Sequence, residues 1–162
     1  MQDAVLAMLA KEPSHGYHLR ARLRRALGPL GESMNALHAA LALPVGLGPV
    51  WRRRVRAALT ELDHDLRDHV AITEAEGALY DDIRATAPRL SHGVEVQQSE
   101  HAELLAEVHR LLDERDEGLH EPEDVAAHRE GVTRLLDRLA RHRQRGSDLV
   151  YEAYAVDIGG SG

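Results

Sequence analysis

The chain has no cysteine and no phenylalanine, and its 162 residues hold one tryptophan and four tyrosines. The missing cysteines exclude disulfides, thiolate metal sites and cysteine nucleophiles together, so any metal must be held by nitrogen and oxygen ligands. So few aromatics, set among many alanines and leucines, point to helices packed through small and branched side chains, and no stretch has the alternation of a strand. No apolar run reaches the roughly 18 residues of a membrane span, and no basic-then-apolar leader is present, which leads us to expect a cytoplasmic protein with no membrane partner. Nucleophile elbows, phosphate loops and dinucleotide-binding glycine patterns are also missing, so no enzymatic activity is expected.

What is present is unevenly charged. The net charge is −7, yet residues 1–56 carry nine basic side chains against Asp3, Glu12 and Glu32, a balance of +6 that leaves −13 for the remainder. Such asymmetry suggests two pieces with different partners. The first piece, residues 1–43, reads as a small helical module. Ala4 to Ala10 form a short helix stopped by Glu12-Pro13, and a second helix from His15 to about Leu27 is closed by Gly28-Pro29, a helix-turn-helix-like start. Residues 44–50, between Pro44 and Pro49, read as a linker. Residues 51–156 read as an antiparallel helical bundle and residues 157–162 as a tail rich in glycine.

Within the bundle the apolar positions recur at three- and four-residue steps. One stripe runs Leu59, Leu62, Leu66, His69, Thr73, Glu76, Tyr80, Ile83; a second runs Val94, Gln97, His101, Leu104, Val108, Leu111; a third runs Val125, His128, Val132, Leu135, Leu139, His142, Leu149. Four histidines thus fall on core stripes. Burying several imidazoles without a shared purpose is costly. Leu66-Arg67-Asp68-His69 also has an echo in Leu139-Ala140-Arg141-His142, the first leading through Thr73-Glu74-Ala75-Glu76-Gly77 to Leu79-Tyr80 and the second through Arg143-Gln144-Arg145-Gly146-Ser147-Asp148 to Leu149-Val150-Tyr151, which suggests two helical hairpins of common design.

Two family resemblances rest on these residues. The run from Leu6 through Glu12-Pro13-Ser14-His15-Gly16-Tyr17 to Leu19 resembles the opening of the PadR-like winged-helix transcriptional regulators, over roughly residues 3–41. That resemblance implies DNA as a partner, with Tyr17, Arg20, Arg24, Arg52, Arg53 and Arg54 as the contacting side chains. The wing and the Tyr-bearing third helix of that family have no counterpart here, since Pro44 to Pro49 follows at once.

Residues 52–155 resemble the hemerythrin-like, cation-binding HHE family. The carriers are Leu66-Arg67-Asp68-His69 with Leu79-Tyr80, then Glu100-His101-Ala102-Glu103-Leu104, then Leu139-Ala140-Arg141-His142 with Leu149-Val150-Tyr151. The resemblance implies a four-helix bundle binding non-haem iron, with His69, His101 and His142 as ligands and Glu74, Glu76, Glu100 and Asp148 as the nearest carboxylates. The family places a bridging glutamate four residues after its hairpin histidines, where this chain has Thr73 and Gly146. The expected function is therefore a non-enzymatic, iron- or oxygen-sensing bundle. The alternative is a PadR-like regulator, or its remnant, whose bundle is metal-free and serves dimerisation or effector binding, with a homodimer as the working form.

Overall fold

The computed structural model describes the backbone of residues 2–114 and 121–159, and side chains from residue 20 onward except 154 and 156–159. It is all-α, and no strand occurs among the described residues. Helix α1 spans Gln2–Ala42, α2 Pro49–Glu74, the short α3 Leu79–Thr86, α4 Ser91–Asp113 and α5 Pro122–Gly159. No helix among the described residues is long and apolar enough to cross a membrane.

The side-chain bonds between helices give the topology. Ala26 of α1 meets His69 of α2 while Ser33 meets Asp65, so α1 and α2 run in opposite directions. Asp63 meets His109 and Arg56 meets the Leu112 carbonyl, which sets α4 against α2. Glu103 with Arg138 and Glu100 with His142 set α5 against α4. The result is an up-down-up-down bundle of α1, α2, α4 and α5 with short connections. Gly48 (φ 55°) makes the turn into α2, whose first residue is Pro49, where the missing N–H costs nothing. Gly77 (φ 71°) makes the turn between α2 and α3 and donates its N–H to Asp81.

The helix ends expected within α1 are not there. Its backbone stays helical through Pro13 and through Gly28-Pro29, with no turn where the PadR-like resemblance puts one. Nothing among the described side chains accounts for Pro13. For Pro29 there is a physical reason. A proline inside a helix leaves the carbonyl four residues back without its amide partner, loosens the ladder around it, and costs about 3 kcal/mol. Here two nearby carbonyls receive donors from other helices: Ala26 accepts from His69 Nδ1 (2.9 Å) and Leu27 from the Arg143 guanidinium (3.2 Å). Burial of Ala26, Leu30, Met34 and Leu37 then holds both sides of the proline on the bundle. The second half of the proposed repeat is also different. The α2–α3 hairpin turns at Gly77, whereas α5 passes Gly146 without a break, so Tyr80 is buried and its counterpart Tyr151 is 70% exposed.

Two apolar cores fill the bundle. The larger joins Leu30, Leu37, Trp51, Leu59, Leu62, Leu66, Leu104, Val108, Leu111, Leu135 and Leu139; the smaller joins Leu79, Tyr80, Ile83, Leu90, Val94, Val150 and Ala153. Of the expected stripe positions Glu76 is exposed and Leu149 half-buried, and the rest are buried. Between the two cores lies a polar layer of His69, Thr73, Gln97, His101 and His142, all buried.

Candidate metal centre

Each histidine of this layer arrives by the stripe that fills the core. His69 stands one turn beyond Leu66 on α2, His142 one turn beyond Leu139 on α5, and His101 one turn before Leu104 on the oppositely directed α4. All three therefore reach one level of the bundle. One ring nitrogen from each lies within 4.8 Å of those of the other two. The ring centroids are 4.8 to 5.4 Å apart, and the rings meet edge to face.

The tautomers follow from the outer partners. His69 Nδ1 is 2.9 Å from the Ala26 carbonyl oxygen, which can only accept, so Nδ1 carries the hydrogen. His142 Nδ1 is 3.1 Å from the Glu100 carboxylate, an acceptor that also receives a bond from Arg145 (2.8 Å), so here too Nδ1 donates. His101 Nδ1 is buried without a hydrogen-bond partner, and the Glu74 carboxylate stands 3.6 Å away. Nε2 is on the other side of the ring, 3.3 Å from the Tyr80 hydroxyl.

All three imidazoles are held neutral. Burial lowers His69 from 6.5 to about 4, with the His142 and Arg143 charges adding to the effect and the Ala26 bond opposing it. Burial, then His69 and His142, lowers His101 to about 3. Burial, then Arg145, lowers His142 to about 4. A neutral ring with its hydrogen on Nδ1 has a bare Nε2, and His69 Nε2 faces His142 Nε2 at 3.3 Å. Two lone pairs at that distance repel; neither nitrogen has a hydrogen to give. A cation between them removes the conflict. Two imidazole nitrogens each ~2.0–2.1 Å from a tetrahedral ion stand ~3.3 Å apart, which is the separation found.

The carboxylates divide. Glu100, 14% exposed, orients His142 from outside, and Glu74, 28% exposed, faces His101. Burial raises the Glu74 carboxyl above its usual range, with Arg84 opposing. Glu76 is exposed in the turn beyond α2 and takes no part. Asp148 is exposed and accepts from Gln144 on its own helix. Two residues sequence reasoning did not assign to the site also belong here. Tyr80, whose phenol burial holds above its usual range, meets His101. Gln97 donates its amide to the His142 carbonyl (3.1 Å), and its buried Oε1 has no partner. Both sat on the stripes that marked the histidines, and that was the available signal.

Gln97 also accounts for Gly146. A Cβ at Gly146 would come within 2.9 Å of the Gln97 amide nitrogen, so the glycine makes the room the amide fills. Gly146→Ala is expected to displace that amide and lose its bond to His142. The cost outweighs the roughly 1 kcal/mol of helix propensity gained. A net loss of about 1 kcal/mol in urea unfolding would be the sign of this, whereas a gain would mean Gln97 yields freely.

The fourth core histidine stands apart. His128 is buried, pairs with Glu114 and meets Trp51 edge-on (6.3 Å between centroids), but lies 14 residues, about 21 Å, along α5 from His142. His38, His64, His92 and His109 are exposed, so none of them joins the centre. His15, His18 and His120 lie outside the described side chains, as does Tyr17. The expected DNA contacts do not form one patch. Arg24 lies near the His69 end of α1, while Arg52, Arg53 and Arg54 begin α2, roughly 25 Å away along the axis. Arg52 lines a cleft of about 540 Å³ with Val125, Arg129 and Thr133.

No family model, curated protein or solved structure matches this chain.

Proposed function

We propose that this chain is a hemerythrin-like, non-enzymatic metal-binding bundle whose His69, His101 and His142 hold one transition-metal ion through their Nε2 atoms. The observation that carries the reading is the pair of bare nitrogens facing each other at 3.3 Å with both Nδ1 hydrogens already committed elsewhere. Its outer groups are those that metal-ligating histidines use: a carbonyl for His69, a carboxylate for His142 and a nearby carboxylate for His101. Iron is the ion that the hemerythrin-like resemblance implies. Imidazole donors also suit zinc, copper and nickel.

The site is built for a single ion. Beyond the histidines lie Thr73, whose hydroxyl donates to the His69 and Val70 carbonyls, and the Gln97 amide beside Gly146. Neither brings the negative charge that a second cation in a dry interior requires. Occupancy acts on the fold itself, because an ion that joins α2, α4 and α5 binds the folded chain alone. At a free concentration 100 times its Kd it adds about 2.7 kcal/mol to stability.

Metal analysis and an absorption spectrum of protein from iron-supplemented culture test this. About one ion per chain is expected, and His101→Ala should lose it while keeping the helical circular dichroism of the parent. Parent protein that takes up neither iron nor zinc nor copper, with its fold intact, would sink the reading.

A further inference from the structure

Beside the three imidazoles stands one more buried polar atom, the Tyr80 oxygen, next to His101. Tyr80 sits on α3, brought back over the histidines by the Gly77 turn, and is 3% exposed. Its ring lies nearly parallel to that of His101, with centroids 5.7 Å apart and planes 17° from parallel. Its oxygen is 3.3 Å from His101 Nε2. The Glu74 carboxylate stands 3.6 Å from His101 Nδ1, so the nitrogen next to the phenol oxygen, Nε2, is the one turned away from that anion.

The same separation occurs twice. His69 Nε2 to His142 Nε2 is 3.3 Å, and His101 Nε2 to the Tyr80 oxygen is 3.3 Å. Two ligand atoms each ~2.0–2.1 Å from one tetrahedral ion stand ~3.3 Å apart, and each of these pairs has that separation. Of the other polar groups of the layer, the Thr73 hydroxyl lies within reach of two carbonyls of its own helix and hydrogen-bonds with Tyr80, and Gln97, whose Oε1 has no partner, has its amide tied to the His142 carbonyl.

We propose that Tyr80 is the fourth ligand, so that the ion is held by three imidazoles and one phenolate. This deepens the metal-binding reading and rests on it. When the ion binds, the metal–oxygen bond forms as the O–H bond breaks. The proton leaves to solvent, and both electrons of the O–H bond stay on the oxygen. The phenolate then supplies the one negative charge in direct contact with the cation, which three neutral rings cannot. As a hard anionic oxygen it turns the site toward iron, ferric iron above all.

The test is titration with iron(III) delivered as its nitrilotriacetate chelate, followed in the visible. The parent should take up one equivalent and develop a phenolate-to-iron charge-transfer band, with tyrosinate modes in the resonance Raman spectrum excited in that band. Tyr80→Phe removes only the oxygen. It should still take up iron on the three histidines, without the band and with affinity weaker by more than the roughly 10- to 100-fold that loss of an outer partner costs, while Tyr151→Phe, at an exposed tyrosine, keeps it. Iron uptake by the parent with no tyrosinate Raman modes, or a band that survives Tyr80→Phe, overturns the assignment and leaves the three-histidine site standing. A folded parent that takes up no metal fails at the earlier step, and this inference falls with it.

Discussion

Metal-free protein is expected to lose several kcal/mol of stability as the pH falls from 6.5 toward 4. In the unfolded chain the imidazoles of His69, His101 and His142 take up protons near 6.5, whereas in the folded bundle they stay neutral until about 4, 3 and 4. Over that window the unfolded state binds more protons, so its free energy falls relative to the native state with every step toward acid. The stabilising contribution is present in full above pH 6.5 and is lost as the pH drops through the window. A shift of this size in one imidazole is on the order of 3 kcal/mol. Glu74, raised by its burial, works in the opposite direction, since it takes up its proton earlier in the folded state. Trp51, the one tryptophan and buried, is a convenient fluorescent reporter for urea unfolding in the presence of a chelator. Stability that stays level between pH 7 and pH 5 would show that the histidines are not buried neutral. With an ion bound, protons and metal compete for the same Nε2 atoms, so the dependence on pH should steepen.

Leu139→Ala should cost about 2–5 kcal/mol, the range for a leucine removed from a core that closes only partly over the cavity. Leu139 is fully buried, one turn before His142, and with Leu66 and Leu104 forms the layer of the larger core that borders the histidines. Its loss therefore weakens the fold and opens the polar layer on that side. On the same helix, Tyr151→Ala, at a site 70% exposed, should change stability by less than about 0.5 kcal/mol. A comparison of the two midpoints in one denaturant decides the matter. Similar losses would mean that α5 is packed through a different face.

The bundle was legible because its stripes are. Residues from Leu59 to Leu66, Val94 to Leu111 and Val132 to Leu139 repeat at the helical period, and that period alone puts His69, His101 and His142 inside. What the period cannot show is where a helix runs on past a stop signal because both sides of it pack and bond to other helices. Gly28-Pro29 reads as a stop, yet His69 and Arg143 donate to the carbonyls of Ala26 and Leu27 beside it. Glu76 continued the stripe by counting, but the Gly77 turn resets the phase, so Glu76 turns to solvent while Tyr80 comes back inside. Sequence spacing could name Glu100 but not its place, which is outside His142 rather than on a metal, because that depends on α4 and α5 meeting at this level. The repeat failed for a related reason: a second glycine without a positive φ leaves α5 straight.

The polar layer between the two apolar cores also limits how the helices can slide. Seams made largely of leucine, valine and alanine look nearly the same after a shift of one heptad, so such a bundle has several alignments of similar energy. Here a shift of α5 by seven residues would carry His142 into a level of leucines and bring an apolar side chain against His69 and His101. The His142 imidazole hydrogen would lose Glu100. Each buried donor stranded this way costs about 1–3 kcal/mol. The histidine layer thus acts as an index mark across α2, α4 and α5, selecting one alignment of the chain whether or not an ion is bound.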